Sequence, residues 1–382
     1  MTSPTRPNIA GSDTATAPTA DSLLAVDRAV ADLRRGGFVV VRCDGGGAVL
    51  VQAAEAVTPQ SLERVADLSG AVPLLVLTAQ RAAALKIADG SQGIIALDIV
   101  EGTPAQAVRD IADPASAISF RLPPHRKPDD ALQSCCLAAV RLTKLARLLP
   151  AALAAPLSVS DPVAWAQSHS LLAVNADEIV DYDLRAARSL KPVSQARVPL
   201  AGAEDARIVA YRPRDGGIEH LAIVIGEPKT DAPVLVRLHS ECFTGDLLGS
   251  LRCDCGDQLR GAIAAISEAG SGVLIYLAQE GRGIGLVNKL RAYQLQDDGL
   301  DTIDANEQLG FDADERVYFP AAQILRDMGF TRVRLLTNNP AKVEALAACG
   351  IEVVERVPHA FPATAHSEKY LATKATRSGH LF

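Results

Sequence analysis

The sequence predicts an α+β protein made of two mixed domains, each with helices layered on strands. The chain has 382 residues, a length that suits two domains. In both halves, short apolar runs that indicate buried strands alternate with segments of helical period. Hydrophobic residues make up 48% of the chain and charged residues 22%, which is the composition of a globular protein with sizeable cores.

Bulk composition excludes several classes of protein. Residues 1–20 are rich in Thr, Ser, Pro and Ala and predict a disordered tail, without the positive region and apolar centre of a secretory signal. No run of 18 apolar residues indicates a membrane span. A net charge of −7 leaves no basic footprint for duplex nucleic acid. Seven cysteines, an odd number in a large chain, favour a reducing cytoplasm over a disulfide framework.

The first domain is expected over residues 21–185. Its opening helix begins near Asp21 or Ser22, and a second helix, at 60–68, is capped by Thr58. The remaining elements are strands at 38–42, 48–52, 72–77 and 93–100, and a helix at 130–149. Cys135 and Cys136 are adjacent on the last helix and point in different directions, so packing is favoured over metal binding.

The second domain is expected over residues 201–382. Residues 186–200 show no clear hydrophobic period and are interpreted as the junction. The predicted strands are 206–212 and 220–226, which form a hairpin, then 232–238, 272–278 and 333–337. The predicted helices are 257–269, 287–296, 321–328 and one that begins at Pro340.

A zinc site is predicted from Cys242, Cys253 and Cys255, which have C-x10-C-x-C spacing. A catalytic zinc keeps three protein ligands and leaves its fourth position to water. Zinc lowers the pKa of that water to near neutrality, which makes a hydroxide nucleophile available. The alternative is three reduced cysteines packed as small apolar groups. The neighbouring charges of Arg252 and Asp254 argue against such a core.

Other residues of the second half indicate phosphate chemistry. Glycines in QEGRGIGL (279–286) let the backbone approach a ligand, and Arg282 offers a fork of donors that suits phosphate. A glycine-rich turn alone is often a plain turn. Asp314 and Arg316 stand two apart and form a possible acid–base or phosphate-handling pair, although acidic loops are commonly solvated surface. Lys342 lies at the start of the last predicted helix, a natural anion site.

Three stretches of the second half resemble GTP cyclohydrolase II. They are RLHSECFTGDLLGSLRCDCGDQL, QEGRGIGLVNKLRAYQLQDDGLDTIDANEQLGF and VRLLTNNPAKVEALAACGIEVVERVP, and the closing EKYLATKATRSGHLF is similar as well. The resemblance covers about residues 193–382. It implies hydrolysis of GTP to 2,5-diamino-6-ribosylamino-4(3H)-pyrimidinone 5′-phosphate, formate and pyrophosphate, the first step of riboflavin biosynthesis. It also implies zinc for ring opening, magnesium with the triphosphate, and a homodimer.

The same resemblance assigns roles to individual residues. Cys242, Cys253 and Cys255 match the zinc ligands. Tyr293 matches the tyrosine beside the zinc, Asp314 the proposed proton acceptor, and Arg316 the residue proposed to act at the α-phosphate. Because a guanidinium stays protonated, we expect Arg316 to stabilise phosphoryl charge rather than attack as a nucleophile. The positions that match GTP contacts are Arg237, His239, Ser240, Glu241, Gln258, Glu280, Gly281, Arg282, Thr302, Thr337 and Lys342.

The first half resembles a 3,4-dihydroxy-2-butanone 4-phosphate synthase domain. The likeness rests on the opening helix, on GGFVVV and on TPQSLERVADLSGAVPLLVLT. In that family, the loop after the first strand carries a cluster of acidic residues that hold magnesium. Here that loop (42–47) contains Asp44 as its single carboxylate, and His125 stands alone later in the domain. One carboxylate cannot organise a divalent cation. We therefore expect this domain to fold but to be catalytically inactive.

Departures from the cyclohydrolase pattern keep two alternatives open. Val317 and Phe319-Pro320 stand where many members have Asp and flexible glycines, and Ala278 stands where many have arginine. One alternative is an enzyme that stops at a formylated or triphosphorylated product. The other is a nucleotide-binding regulatory protein without turnover.

Overall fold

The computed structural model describes residues 20–90, 93–118 and 122–359. The expected tail lies outside this range, apart from Ala20, and so does the closing stretch 368–382. Over the part that is described, no helix combines the length and the apolar character needed to cross a bilayer.

The first half of the chain forms a mixed sheet with helices packed on it. Its strands are β1 (Val39–Arg42), β2 (Ala48–Ala53), β3 (Leu74–Thr78), β4 (Ile94–Asp98), β5 (His125–Arg126), β6 (Ala151–Pro156) and β7 (Leu172–Asn175). Its helices are α1 (Ala20–Arg34), α2 (Pro59–Ser69), α3 (Ala79–Ala84), α4 (Ala105–Ala112), α5 (Asp130–Leu145), α6 (Pro162–Ser168), α7 (Ala176–Val180) and α8 (Tyr182–Arg188). The strand order is β5-β4-β3-β6-β2-β1-β7.

Local sequence explains the second helix fully. Thr58 accepts a hydrogen bond from the Ser61 amide at 3.1 Å, and the Ser61 hydroxyl accepts one from the Thr58 amide at 2.9 Å. This capping box satisfies two amides that a helix start would otherwise leave without partners. Pro59 occupies the first turn, and Gly70 ends the helix with a left-handed φ of 61°. The predicted cap at Thr58 is confirmed.

The second half forms another mixed sheet. Its strands are β8 (Lys191–Arg197), β9 (Arg207–Arg212), β10 (His220–Ile225), β11 (Val234–Ser240), β12 (Gly272–Leu277), β13 (Arg332–Leu336) and β14 (Glu352–Val357). Its helices are α9 (Cys255–Glu268), α10 (Leu286–Asp297), α11 (Thr302–Gln308), α12 (Phe319–Asp327) and α13 (Pro340–Ala348). The strand order is β14-β13-β11-β12-β10-β9-β8. The predicted α+β fold class is confirmed.

Four neighbouring strands of the second sheet run parallel: β14, β13, β11 and β12. Strand β11 pairs in parallel with β12 on one side and with β13 on the other. Their carboxyl ends therefore meet at one edge of the sheet, where ligands bind in open α/β sheets. The predicted β9–β10 hairpin is confirmed as an antiparallel pair.

The segment interpreted as the junction contains strand β8. It pairs antiparallel with β9 at the end of the sheet, and all seven of its residues are exposed. A strand with both faces exposed carries no alternation of apolar and polar residues. For this reason, the hydrophobic pattern did not predict strand β8.

Two cysteines of the first half lie side by side. Cys43, after β1, and Cys135, on α5, have Cα atoms 5.9 Å apart, a separation that a disulfide can span. The two residues are 92 positions apart in the chain, so only the fold brings them together. Cys136 is buried in the core beside them, as the packing interpretation predicted.

The two halves share one hydrophobic core. Leu97 and Ile111 of the first half belong to the same buried cluster as Ile284, Leu309 and Phe311 of the second. Helices α10 and α11 contribute to this cluster, so their inner faces rest on the first half of the chain.

Candidate active site

A cleft opens at the carboxyl ends of β11, β12 and β13. It encloses about 1190 Å³ of space, part of it open to solvent. Apart from Asp314, every residue predicted for the site lines this cleft: Arg237, His239, Ser240, Glu241, Cys242, Cys253, Cys255, Gln258, Glu280, Gly281, Arg282, Tyr293, Thr302, Arg316, Thr337 and Lys342. Residues spread over about a hundred positions of sequence thus converge on one surface. Their individual roles stay predictions.

The three cysteines converge on one point. Cys242 follows β11, Cys253 lies in the next loop, and Cys255 begins α9. The sulfur atoms of Cys242 and Cys253 are 3.7 Å apart, and all three sulfurs lie within 4.8 Å of one another. Three thiolates about 2.3 Å from a tetrahedral zinc would lie about 3.8 Å apart. The cluster can therefore hold a metal ion.

Gly245 leaves room for that cluster. It lies in a π-helical turn, Phe243–Leu247, an element common at functional sites. A Cβ atom on Gly245 would lie 2.8 Å from the Cys253 sulfur and 3.0 Å from the Cys242 sulfur. Any other residue here would push the sulfurs apart.

Lys289 is a site residue that sequence reasoning did not select. Its ammonium donates to the Cys242 sulfur at 3.1 Å, to the Thr244 hydroxyl at 3.0 Å and to the Glu280 carboxylate at 2.7 Å. Burial disfavours its charge, but Glu280 and the Cys242 sulfur outweigh that effect and raise the pKa of Lys289. Hydrogen bonds from Cys253 and Cys255, with Lys289 nearby, lower the pKa of Cys242. The sequence feature that could have identified Lys289 is its spacing from Tyr293. The two residues are four positions apart, one turn of α10.

Asp246 binds residues on both sides of it in the fold and so holds the end of β11 next to Cys242. Its carboxylate accepts hydrogen bonds from the Cys242 amide at 3.0 Å and the Tyr276 hydroxyl at 2.9 Å. The His239 ring nitrogen Nε2 lies 3.0 Å from both carboxylate oxygens. Burial lowers the pKa of His239, although Asp246 opposes this. A neutral His239 that donates to Asp246 is consistent with this geometry.

Two residues that line the cleft each have a buried donor atom without a hydrogen-bond partner in the described part of the chain. One is Nε of Arg237, whose Nη1 donates to the Leu336 carbonyl at 2.9 Å. Burial lowers the pKa of Arg237 to about 10, and Asp254 opposes the shift. The other is Nδ2 of Asn306 on α11, a residue that sequence reasoning missed. Buried polar groups are normally paired, so both atoms indicate a ligand with acceptor atoms.

The glycine-rich segment after β12 is held in an unusual conformation. Gly281 and Arg282 both have left-handed backbones, with φ of 64° and 63°. The buried Glu280 carboxylate accepts from the Phe243 amide at 2.5 Å and the Gly281 amide at 2.8 Å. Burial raises the pKa of Glu241 beside it, and the charge of Glu280 adds to this shift. The segment thus links the cysteine loop to the start of α10.

Arg316 faces the cleft, whereas Asp314 stands behind it. The Asp314 carboxylate accepts from Nε of Arg316 at 2.8 Å and from Nη2 at 2.5 Å. The Asp314 side chain is 41% exposed and that of Arg316 is 14% exposed. Desolvation opposes ionisation of Asp314, but Arg316 outweighs it and holds the pKa of Asp314 below its usual value. This carboxylate is therefore ionised and well placed to orient Arg316.

The other predicted residues are held by local hydrogen bonds. The Ser240 hydroxyl accepts from Gln279 at 3.0 Å, and the Thr337 hydroxyl accepts from the Asn339 amide at 3.0 Å. The Lys342 ammonium donates to the Leu238 carbonyl at 2.9 Å. These contacts bind the first turn of α13 and the segment before it to the ends of β11 and β13.

Tyr293 closes the cysteine side of the cleft. Its hydroxyl lies 3.5 Å from the Thr244 hydroxyl, and the Arg252 guanidinium lies 4.8 Å from its ring centre. Burial raises the pKa of Tyr293, although Lys289 opposes this. The phenol is therefore protonated and can donate a hydrogen bond. His359 also lines the cleft, where its Nε2 lies 2.9 Å from the Gln258 carbonyl; sequence reasoning missed it.

Proteins similar to this chain support the identification of the cleft as an active site. Residues 191–358 match the family described as GTP cyclohydrolase II. GTP cyclohydrolase-2 of Azospirillum brasilense is 54% identical over 370 residues, which cover 94% of this chain and 94% of that protein. The chain belongs to the GTP cyclohydrolase II family. GTP cyclohydrolase-2 of Xylella fastidiosa (strain 9a5c) is 39% identical and covers 93% of this chain and 86% of its own length.

Relatives of this cyclohydrolase II family member also span both halves of the chain. The riboflavin biosynthesis protein RibBA of Aquifex aeolicus is 35% identical, with 94% of this chain and 97% of that protein covered. A solved two-domain 3,4-dihydroxy-2-butanone 4-phosphate synthase, RibBX of A. baumannii, aligns with 88% of this chain and 99% of its own. Its identity to this chain is 20% and its TM-score is 0.37.

Proposed function

We propose that this protein is a GTP cyclohydrolase II of riboflavin biosynthesis. It hydrolyses GTP to 2,5-diamino-6-ribosylamino-4(3H)-pyrimidinone 5′-phosphate, formate and pyrophosphate. The observation that carries the proposal is the convergence of Cys242, Cys253 and Cys255 with the family's GTP-contact positions on one cleft. A chain that shares 54% identity with a GTP cyclohydrolase-2 over almost its whole length supports the same assignment.

The cysteine cluster would hold one zinc ion. Its three sulfur donors and its sulfur–sulfur spacing suit zinc, and three protein ligands leave one position for water. When bound, zinc supplies Lewis acidity that lowers the pKa of water toward neutrality. Magnesium is proposed to enter with the triphosphate, because Mg²⁺ is commonly bound through substrate phosphates.

Residues around the cluster prepare it for ring opening. The Lys289 ammonium places a positive charge against the Cys242 sulfur and is itself held by Glu280. The protonated Tyr293 hydroxyl can donate to the reacting ring or to water. The unpartnered donors of Arg237 and Asn306 are suited to acceptor atoms of the nucleotide.

Three cationic side chains of the cleft suit the phosphates. They belong to Arg282, Arg316 and Lys342, which all line the cleft. Asp314 holds Arg316 by two hydrogen bonds, which fixes the direction of its donors. Preoriented donors stabilise the charge that develops when pyrophosphate leaves. We therefore propose that Arg316 is a charge stabiliser and that Asp314 orients it, with proton transfer as a further role for Asp314.

The first half is proposed to be catalytically inactive. Asp44, the carboxylate of its loop, already accepts a hydrogen bond from Asn175 at 2.7 Å and lies 3.8 Å from Arg42. The proposed boundaries are 21–185 for this domain, 186–200 for the junction and 201–382 for the cyclohydrolase domain. A cytoplasmic homodimer is proposed from the family resemblance.

The test is incubation of the full-length protein with GTP, zinc and magnesium, with mass spectrometry of the products and assays of formate and pyrophosphate. The proposal predicts the monophosphorylated diaminopyrimidinone with both by-products. A product that keeps the formyl group or the triphosphate would favour an enzyme that stops early. Unchanged GTP in a zinc-loaded protein would contradict the proposal and favour a regulatory nucleotide-binding role.

A further inference from the structure

The segment that joins β12 to α10 needs external support. It runs from Gln279 to Gly285 and carries Glu280 and Arg282, which both line the cleft. Besides Gly281, Gly283 and Gly285, the non-glycine residue Arg282 also has a positive φ, 63°. A side chain in the left-handed region is strained and persists where its surroundings fix it. The conformation of this segment therefore depends on what packs around it.

Part of that support comes from the second half itself. The Arg282 carbonyl accepts from the Glu315 amide at 3.1 Å, and the Arg282 guanidinium donates to the Ala313 carbonyl at 3.3 Å. Within the segment, the Gly285 amide donates to the Glu280 carbonyl at 2.9 Å. These bonds hold the middle of the segment.

Its two ends are held by one residue from the other half of the chain. Arg147 follows α5 and has a left-handed backbone of its own, with φ of 57°. Its Nη2 donates to the Ala278 carbonyl at 2.8 Å, directly before the segment. Its carbonyl accepts from Nδ2 of the fully buried Asn288 at 3.0 Å, in the first turn of α10.

The same arginine also packs against the last residue of the segment. A Cβ atom on Gly285 would lie 3.1 Å from both Cβ and Cδ of Arg147. Gly285 has φ of 87°, so a side chain there would be strained as well as crowded. Arg147 thus contacts residues before, at the end of and after the glycine-rich segment.

We propose that Arg147 is a positioning residue of the cleft: the first half uses it to clamp the Gln279–Gly285 segment and so to fix Glu280 and Arg282. As a statement about catalysis, this inference rests on the proposed function, whereas the clamp itself does not. With this clamp, the first half supports the cleft without catalysing a reaction itself. Among the other contacts between the halves, Thr78 with the Gly310 carbonyl at 2.8 Å lies away from this segment. Lys144 acts on the segment indirectly, because its ammonium binds the carboxylate of Glu315 at 2.6 Å.

Arg141 offers a matched control. It lies on α5 six residues before Arg147 and lines the same cavity between the halves. Its guanidinium pairs with Asp183, which belongs to the first half, rather than with the glycine-rich segment. Arg141→Ala and Arg147→Ala therefore remove the same side chain from the same interface region. Only Arg147→Ala removes the hydrogen bond to the Ala278 carbonyl and the packing of Cγ and Cδ against Gly285.

The experiment compares the wild-type chain, Arg147→Ala, Arg147→Lys and Arg141→Ala by amide hydrogen–deuterium exchange and GTP kinetics. For Arg147→Ala, we expect faster exchange in peptides that cover residues 279–286 and a loss of about 10- to 100-fold in kcat/KM. Metal content should stay at the wild-type level. Arg147→Lys retains a cationic donor and should recover most of the loss, and Arg141→Ala should stay within about twofold.

Unchanged exchange in Arg147→Ala would overturn the inference, and so would equal losses in Arg147→Ala and Arg141→Ala. Faster exchange with unchanged kcat/KM would overturn the role in positioning. If Arg147→Ala is insoluble, Arg147→Gln replaces it. If the wild-type chain does not turn over GTP, the proposed function fails, and the exchange rates alone decide whether Arg147 clamps the segment.

Discussion

The two sheets of this protein have the same number of strands but treat their polar groups differently. In the first, β1 and β7 form a parallel pair, and Arg42, Asp44 and Asn175 at their carboxyl ends bind one another. In the second, three parallel strands end at a cleft where Arg237 and Asn306 keep buried donors without partners among the described residues.

This contrast separates a scaffold from a site. Polar side chains that satisfy one another have little left to offer a ligand. Polar side chains that are buried and incompletely paired reduce stability, and they persist where a ligand completes them. The cleft of the second half has this property around a cysteine cluster. Among the described residues of the first half, Oε1 of Gln52 on β2 is also buried without a partner, but Gln52 does not line the cleft. The first half contacts the second through Arg147 and a shared core.

The largest expected effect comes from the cysteine cluster. Cys253→Ser should lose the bound metal and lower formate release by at least about a thousandfold, because the Lewis acid that activates water is lost. Metal analysis and a formate assay measure both effects. Cys349→Ser is the control, since Cys349 lies outside the cleft at the end of α13. A metal-free Cys253→Ser protein with full turnover would remove the proposed metal from the reaction.

The next effect is expected at the phosphate side. Arg316→Ala should lower kcat about 10²- to 10³-fold, because one preoriented donor to developing charge is removed. Steady-state kinetics with pyrophosphate detection measures this. Arg334→Ala serves as the control, because Arg334 pairs with Glu355 on the exposed part of the sheet. Equal activity of the two variants would show that Arg316 takes no part in catalysis.

A smaller effect is expected at Lys289. Lys289→Met keeps the length of the side chain but removes the charge that faces the Cys242 sulfur. Groups that support metal ligands typically contribute about 10- to 100-fold in affinity. Competition with a chelator should therefore show zinc binding weakened by that factor. Lys229→Met, on an exposed loop, should bind zinc like the wild type. Unchanged affinity in Lys289→Met would contradict the assigned role.

The smallest effect is expected in the first half. Asp44→Ala should change GTP turnover by no more than about twofold, since exposed side chains away from a site contribute little. It should also leave the melting temperature almost unchanged, because its partners Arg42 and Asn175 remain solvated. A large loss of turnover in Asp44→Ala would contradict the assignment of a scaffold role to the first sheet.

Sequence reasoning located the site better than it located parts of the scaffold. The C-x10-C-x-C spacing and the QEGRGIGL segment are local patterns, and the structure brings both to one cleft. Strand β6 was missed because its sequence, AALAAP, is dominated by alanine, a strong helix former. Five of its six residues are buried in the middle of the sheet, so tertiary packing decided its structure.

The remaining misses depend on long-range contacts. Cys43 and Cys135 meet across 92 residues, and Arg147 reaches a segment more than a hundred positions away. Lys289 lies on a helix whose sequence shows a charge but not the sulfur it faces. Asp314 was expected in the cleft, but its two bonds to Arg316 hold it behind that residue. No local pattern contains this information.

The most direct test of the account measures both candidate chemistries on one preparation of the full-length protein. GTP and ribulose 5-phosphate are supplied in turn, with zinc and magnesium present, and the products are identified by mass spectrometry. We expect the diaminopyrimidinone monophosphate, formate and pyrophosphate from GTP, and unchanged ribulose 5-phosphate. Turnover of ribulose 5-phosphate, or unchanged GTP in a zinc-loaded protein, would contradict the assignment of all the chemistry to the second half.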